Sequence, residues 1–367
     1  MKFEKLFGFG AATETVLCLA LLGAGQTLRA QETKEKVTVD DADRSFTLRL
    51  PRGYNPQQHY PVVILLHGVN QDPDDMERLT GFDTLADANG IIVIYPAALH
   101  GRWNVGVRPA EQRPMGMRPG GGHRRGGYGG GYPGGGGGGY PGGGGGGSPG
   151  GQQGGGHDSE ESRRAAPADD VAFFNQMLDQ VSSKFSVDAS RVYALGLSEG
   201  GFMSLRAACS LSDRIAAVAA VGAAMPKTMI CLPSRPVPVL MINGTSDPVV
   251  PYGGGTEHNL SLTTLSAEDS SKDWAKIDRC NDKPEKGKWA AKGKGGTETR
   301  VDTYDGCQQS AQVVLYSVKG AGNTWPGGEQ YEPEKTVGKT SPDVNGNEIA
   351  WNFLSSRKLP DKTASNP

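Results

Sequence analysis

The chain has 367 residues, 36% of them hydrophobic, which is enough for one sizeable core. Its formal net charge is −2, from Lys+Arg 38 against Asp+Glu 40. That balance gives no electrostatic basis for binding nucleic acid or an anionic membrane surface.

Lys2 and Lys5 precede an apolar run from Val16 to Leu22, and Gly23-Ala24-Gly25 follows. This pattern reads as an export signal over residues 1–30, cleaved after Ala30, and implies a secreted or periplasmic product. The run is too short for a stable membrane anchor. Cys18 lies inside it rather than after it, against a lipoprotein. Cys209, Cys231, Cys280 and Cys307 remain, and an even number in an exported chain implies two disulfides. Three pairings are possible; Cys209–Cys231 and Cys280–Cys307 are favoured because each closes a local segment. No CxxC or His/Cys spacing suggests a metal site.

The rest, residues 31–367, reads as a single domain. Val62-Val63-Ile64-Leu65-Leu66 is a continuous apolar run, as in a strand buried on both faces. Asp74 to Asn89 has helical spacing at Met76, Leu79, Phe82, Leu85 and Ala86, and Gly90 closes it. Ile91–Tyr95 is the next strand. From about 115 to 156 the chain is mostly glycine, which cannot bury enough apolar surface to offset its ordering entropy. This stretch is expected to be a disordered insertion within the domain. Its Arg124-Arg125-Gly126-Gly127-Tyr128 is similar to RNA-binding arginine-glycine segments, a use that conflicts with export. A helix from Ala168 to Phe185 follows, capped by Asp169 or Asp170. Strands are expected at Val192–Leu195, Ala216–Val221, Val237–Ile242 and Val313–Val318, with helices from about Ala267 and over Asn345–Leu354. This alternation predicts an α/β protein with a doubly wound, mostly parallel sheet.

Gly196-Leu197-Ser198-Glu199-Gly200-Gly201 sits between a β-prone run and a helix former, the pattern of a nucleophile elbow. Ser198 at a strand's carboxyl end is placed where such sheets hold their sites. A Gly-rich turn with an incidental serine would read the same way. His67-Gly68-Val69-Asn70 follows the first buried strand, so the N–H of Val69 with that of Glu199 would form an oxyanion hole. His67 is expected to orient the loop rather than act as a base. Asp247, between Gly244 and Pro248 beyond a strand, suits the acid of a triad and equally suits an Asp-Pro turn.

Taken together, the chain resembles the secreted polyhydroxybutyrate depolymerase-like and feruloyl-esterase-like α/β-hydrolases. The resemblance rests on Leu65-Leu66-His67-Gly68, Gly101-Arg102-Trp103-Asn104, Asp169-Asp170-Val171, Arg191-Val192-Tyr193 leading into the elbow, Asn243-Gly244-Thr245-Ser246-Asp247 with Val250-Pro251-Tyr252, and Thr324-Trp325-Pro326-Gly327-Gly328. It implies an α/β-hydrolase fold, Ser198 as nucleophile, Asp247 as triad acid and a substrate pocket near His67, Trp103, Asn104 and Trp325. It also supports the two disulfides above. The mechanism needs no cofactor. The partner implied is an ester substrate, polymeric or plant cell-wall derived; the sequence sets no oligomeric state.

One position departs from the family. Its triad His precedes Thr324-Trp325-Pro326-Gly327-Gly328, and here that residue is Asn323. A carboxamide cannot take the serine proton. His258, in a Gly-rich loop, is the only His after Asp247 and would need a rebuilt geometry to substitute. Two functions follow: an exported serine carboxylic-ester hydrolase acting through an acyl-enzyme, or an impaired homologue that binds polymer or carbohydrate.

Overall fold

A computed structural model describes residues 30–106, 168–257 and 262–360. The expected export signal up to residue 29, the glycine-rich stretch, His123, His157 and His258 lie outside the described residues.

Ten strands form one sheet. A hairpin opens it, β1 (Gln31–Val39) with β2 (Ala42–Leu50). The centre is β4 (Ile92–Pro96), β3 (Tyr60–Leu66), β5 (Val187–Leu197), β6 (Ala217–Val221), β7 (Val239–Gly244) and β12 (Val313–Lys319). These six lie side by side in that order and all pair in parallel. Antiparallel strands flank them: β2 beside β4 on one edge, β11 (Glu298–Tyr304) and β10 (Glu285–Lys286) beyond β12 on the other. A short pair, β8 (Gly255–Glu257) with β9 (Leu262–Thr264), stands apart. The expected α/β-hydrolase architecture is thus present.

Both faces of the sheet are covered, and β3 shows it. Val62, Ile64 and Leu66 belong to one apolar cluster, Val63 and Leu65 to the other, and all are fully buried. The first face receives α3 (Asp170–Lys184), α4 (Glu199–Ser210) and α5 (Ala267–Ile277) through residues such as Phe174, Phe202 and Trp274. The second receives α1 (Pro73–Thr80), α2 (Phe82–Asn89) and α6 (Gly346–Ser355) through Met76, Phe82 and Leu354. Burying both faces is why the central strands read as unbroken apolar runs.

Two expectations need correction. The helix foreseen over Asp74–Asn89 is two helices, because Gly81 turns left-handed (φ 56°) and closes α1 with its N–H on the Glu77 carbonyl. The hairpin β1–β2 and strand β11 were not foreseen. β1 is an edge strand whose exposed positions are largely charged, so it lacks the apolar run that marks the central strands.

The disulfides pair as favoured. Cys209–Cys231 ties the end of α4 to the β6–β7 connection, and Cys280–Cys307 ties the segment after α5 to that before β12.

Candidate active site

The elbow between β5 and α4 is built by glycine. Ser198 has φ 55° and ψ −118°, a conformation that costs a non-glycine residue strain. A Cβ on Gly196 would stand 2.3 Å from the Gly200 carbonyl oxygen, and one on Gly200 would stand 2.2 Å from that of Leu66. Neither site tolerates a side chain, so the turn can close directly over the end of β3. The Ser198 N–H donates to Val221 O (2.8 Å), and Ser198 O accepts the first helical bond from Phe202 (3.0 Å). Glu199 therefore opens α4, where N–H groups lack helical acceptors and the helix end is electropositive.

The loop after β3 lies alongside. The His67 ring is buried and bonded at both nitrogens: Nδ1 meets the Gly68 carbonyl at 2.7 Å, and Nε2 accepts from the Ala98 N–H at 3.0 Å. Burial pushes its pKa down, so the ring stays neutral and holds the loop. The Gly68 N–H donates to Gln71 Oε1 (2.8 Å) and the Asn70 N–H to Gly101 O (3.1 Å). Val69 sits between these anchored neighbours, on the wall of the same cavity as Ser198.

Asp247 and Asn323 meet at the ends of β7 and β12. Asp247 Oδ1 accepts the N–H groups of Val249 (2.8 Å) and Val250 (2.7 Å), while Oδ2 accepts from Asn323 Nδ2 (2.8 Å). Burial raises the Asp247 pKa to about 7 despite these donors. Asn323 Nδ2 also donates to Gly222 O (2.9 Å). Tyr331 donates its hydroxyl to the Asn323 carbonyl (2.9 Å), and the Asn323 N–H reaches Val337 O (2.6 Å). Tyr331 was not foreseen; only its position shortly after the Trp-Pro-Gly-Gly run could have hinted at it.

Ser198, Val69, Asn323 and Tyr331 line one cavity of about 540 Å³, with Asp75 and Arg78 on its α1 side. The other expected pocket residues, His67, Trp103, Asn104 and Trp325, are not among those that line it. Trp103 is buried, donates Nε1–H to His67 O (3.0 Å) and packs edge-on against Phe174. Asn104 donates Nδ2–H to Ala168 O (2.9 Å). Trp325 is fully buried and donates to Asn347 Oδ1 (2.9 Å). These groups brace the loops because their polar atoms are consumed by protein partners. His67 behaves likewise.

The Glu199 side chain also points inward. It is fully buried, with Arg102 Nε 3.5 Å from Oε1, and burial raises its pKa to about 8. The charge of buried Glu257 adds to the rise of both this group and Asp247. Among the described residues no His, Cys, Asp and Glu grouping is arranged to hold a metal.

Comparisons with known proteins point to esterase-like proteins. A family model described as "Putative esterase" matches residues 39–116, and one described as "Phospholipase/Carboxylesterase" matches 157–279. The chain is 26% identical over 337 residues to "Putative esterase NocK" of Nocardia uniformis subsp. tsuyamanensis, covering 89% of this chain and 83% of that protein. It is 25% identical over 346 residues to feruloyl esterase D of Neurospora crassa, covering 91% and 88%. Feruloyl esterase B of Piromyces equi is 34% identical over 163 residues, which are 42% of this chain and only 29% of that protein. With a two-sided parallel sheet, a strained serine at the strand-to-helix turn and these relatives in hand, the chain is similar to the esterase-like α/β-hydrolases.

Proposed function

We propose that the protein is an exported serine carboxylic-ester hydrolase whose turnover is limited by the missing imidazole. Ser198 Oγ attacks the ester carbonyl, the N–H groups of Val69 and Glu199 hold the oxyanion, and an acyl-enzyme forms and is hydrolysed. Asn323 occupies the family's His position. The observation that carries this reading is its Nδ2–H bond to Asp247, the bond an imidazole N–H makes in a complete triad. Asn323 keeps the acid anchored but offers no base on the Ser198 side. Loss of the base cost about six orders of magnitude in a dissected serine protease, while an oxyanion hole with binding alone retains about 10³–10⁴ over water. Esters of plant cell-wall polysaccharides are the proposed substrates, in line with the feruloyl esterases among the relatives. Export is supported by the two disulfides.

The same residue favours a second reading, an impaired homologue that retains the cavity and binds polymer or carbohydrate. A fluorophosphonate probe and a chromogenic short-chain ester separate the two. Turnover and labelling that vanish in Ser198→Ala support the hydrolase. An inert native chain that gains activity as Asn323→His supports the binding protein.

A further inference from the structure

We infer that the cavity beside Ser198 accepts an ester carrying its own basic nitrogen, which performs the proton transfer that position 323 cannot. This rests on Ser198 acting as the nucleophile, as proposed above.

Three observations converge. Asn323 is immobilised: its amide hydrogens are committed to Asp247 Oδ2 (2.8 Å) and Gly222 O (2.9 Å), its N–H to Val337 O and its carbonyl to the Tyr331 hydroxyl. It therefore cannot swing aside to admit a distant protein base. The cavity over Ser198 and Asn323, about 540 Å³, is large enough for a small ester with an amino substituent. Its described lining also favours positive ligands. Asp75 and Glu332 are anionic, and the one cation, Arg78, is already bound to Asp75 (3.0 Å) and Glu329 (2.6 Å). Such a mouth draws in protonated amines and repels anionic esters. Neither lining carboxylate is arranged as a base. Asp75 Oδ2 faces the Asp72 N–H (3.3 Å) in the α1 capping box and its Oδ1 holds Arg78, while Glu332 is exposed to water.

The step balances without a further reactant. The bound ammonium first gives its proton to bulk water, and the neutral amine then takes the Ser198 proton as Oγ bonds to the carbonyl carbon. The tetrahedral intermediate then breaks its bond to the alcohol oxygen, and the ammonium returns the proton to that oxygen. When the amine belongs to the acyl group it stays in place, takes a proton from the attacking water and returns it to Ser198 Oγ as that oxygen leaves. When the amine belongs to the alcohol it departs with the first product, so the acyl-enzyme accumulates.

Three near-isosteric esters test this on the full chain: 2-(dimethylamino)ethyl acetate, acetylcholine and 3-methylbutyl acetate. The first has charge and a titratable nitrogen, the second charge alone, the third neither. Spontaneous hydrolysis is subtracted using Ser198→Ala. The inference expects the first to acylate Ser198 about 10²-fold or more faster than both others, with the acetyl adduct visible by mass spectrometry. In Asn323→His the preference should fall to within a few-fold as 3-methylbutyl acetate becomes a substrate. Equal rates on all three in the native chain overturn the inference. Acetylcholine matching the amine overturns it too, leaving only charge attraction, as does an inert native chain whose Asn323→His form is active. An Asn323→His chain inert to all three and to fluorophosphonate overturns the nucleophile assignment and the inference with it.

Discussion

The Asn323 amide nitrogen lies 2.8 Å from Asp247 Oδ2, so the carboxylate proposed as triad acid is bonded to a side chain that carries no base. Gly222 makes this possible: it has φ 58°, and a Cβ there would stand 2.7 Å from Asn323 Nδ2.

Restoring the ring should therefore restore chemistry. Asn323→His is expected to raise kcat/KM on a chromogenic acetate ester by about 10²–10⁴-fold, the ordinary worth of a positioned general base. Steady-state kinetics check this, and no gain beyond a few-fold would contradict the triad geometry. Adding Gly222→Ala should abolish most of the gain, because the new methyl presses on the ring.

Stability should rise on mild acidification. Asp247 and Asp278 have pKa values raised by burial to about 7, and Glu199 to about 8. The unfolded chain releases these protons near the ordinary carboxylate values, so between about pH 4 and 8 the folded state holds more protons. Linkage then makes stability fall as pH climbs through that window. Calorimetry at pH 5 and pH 8 should give the higher Tm at pH 5, and Glu199→Gln should flatten the difference. A Tm independent of pH would count against these assignments.

Gly200→Ala should destabilise the fold by at least about 1–3 kcal/mol, the cost of overpacking, since its Cβ would meet the Leu66 carbonyl oxygen at 2.2 Å. Urea denaturation measures it. A near-neutral result would mean that the elbow can relax.

Trp325→Phe should cost stability and leave KM unchanged, because the indole is buried and bonded to Asn347 rather than exposed to the cavity. A raised KM at unaltered Tm would return Trp325 to the substrate side.

The central sheet was legible because strands buried on both faces leave unbroken apolar runs, as in Val62–Leu66, and the elbow because no residue but glycine fits at 196 and 200. Gly81 hid the break between α1 and α2, since Leu79, Phe82 and Leu85 keep helical spacing across it. The aromatic residues misled for a different reason: sequence gives a tryptophan's proximity to a site but not the side from which it faces it. Trp103 and Trp325 bond to His67 O and Asn347 Oδ1 and do not line the cavity. Tyr331, which does line it, belongs to no motif.

Asn104 has a last consequence. Its side chain holds Ala168 O at 2.9 Å and its backbone N–H holds Asp170 Oδ2 at 2.6 Å, so the chain resumes its described course close to where it left. The two family matches stop and restart at residues 116 and 157, on either side of the glycine-rich stretch. Joined ends make loop length thermodynamically cheap, with each doubling costing only about 0.6 kcal/mol. The hydrolase body can thus evolve this segment almost independently, and a graft of unrelated polypeptide at that seam should leave the body intact.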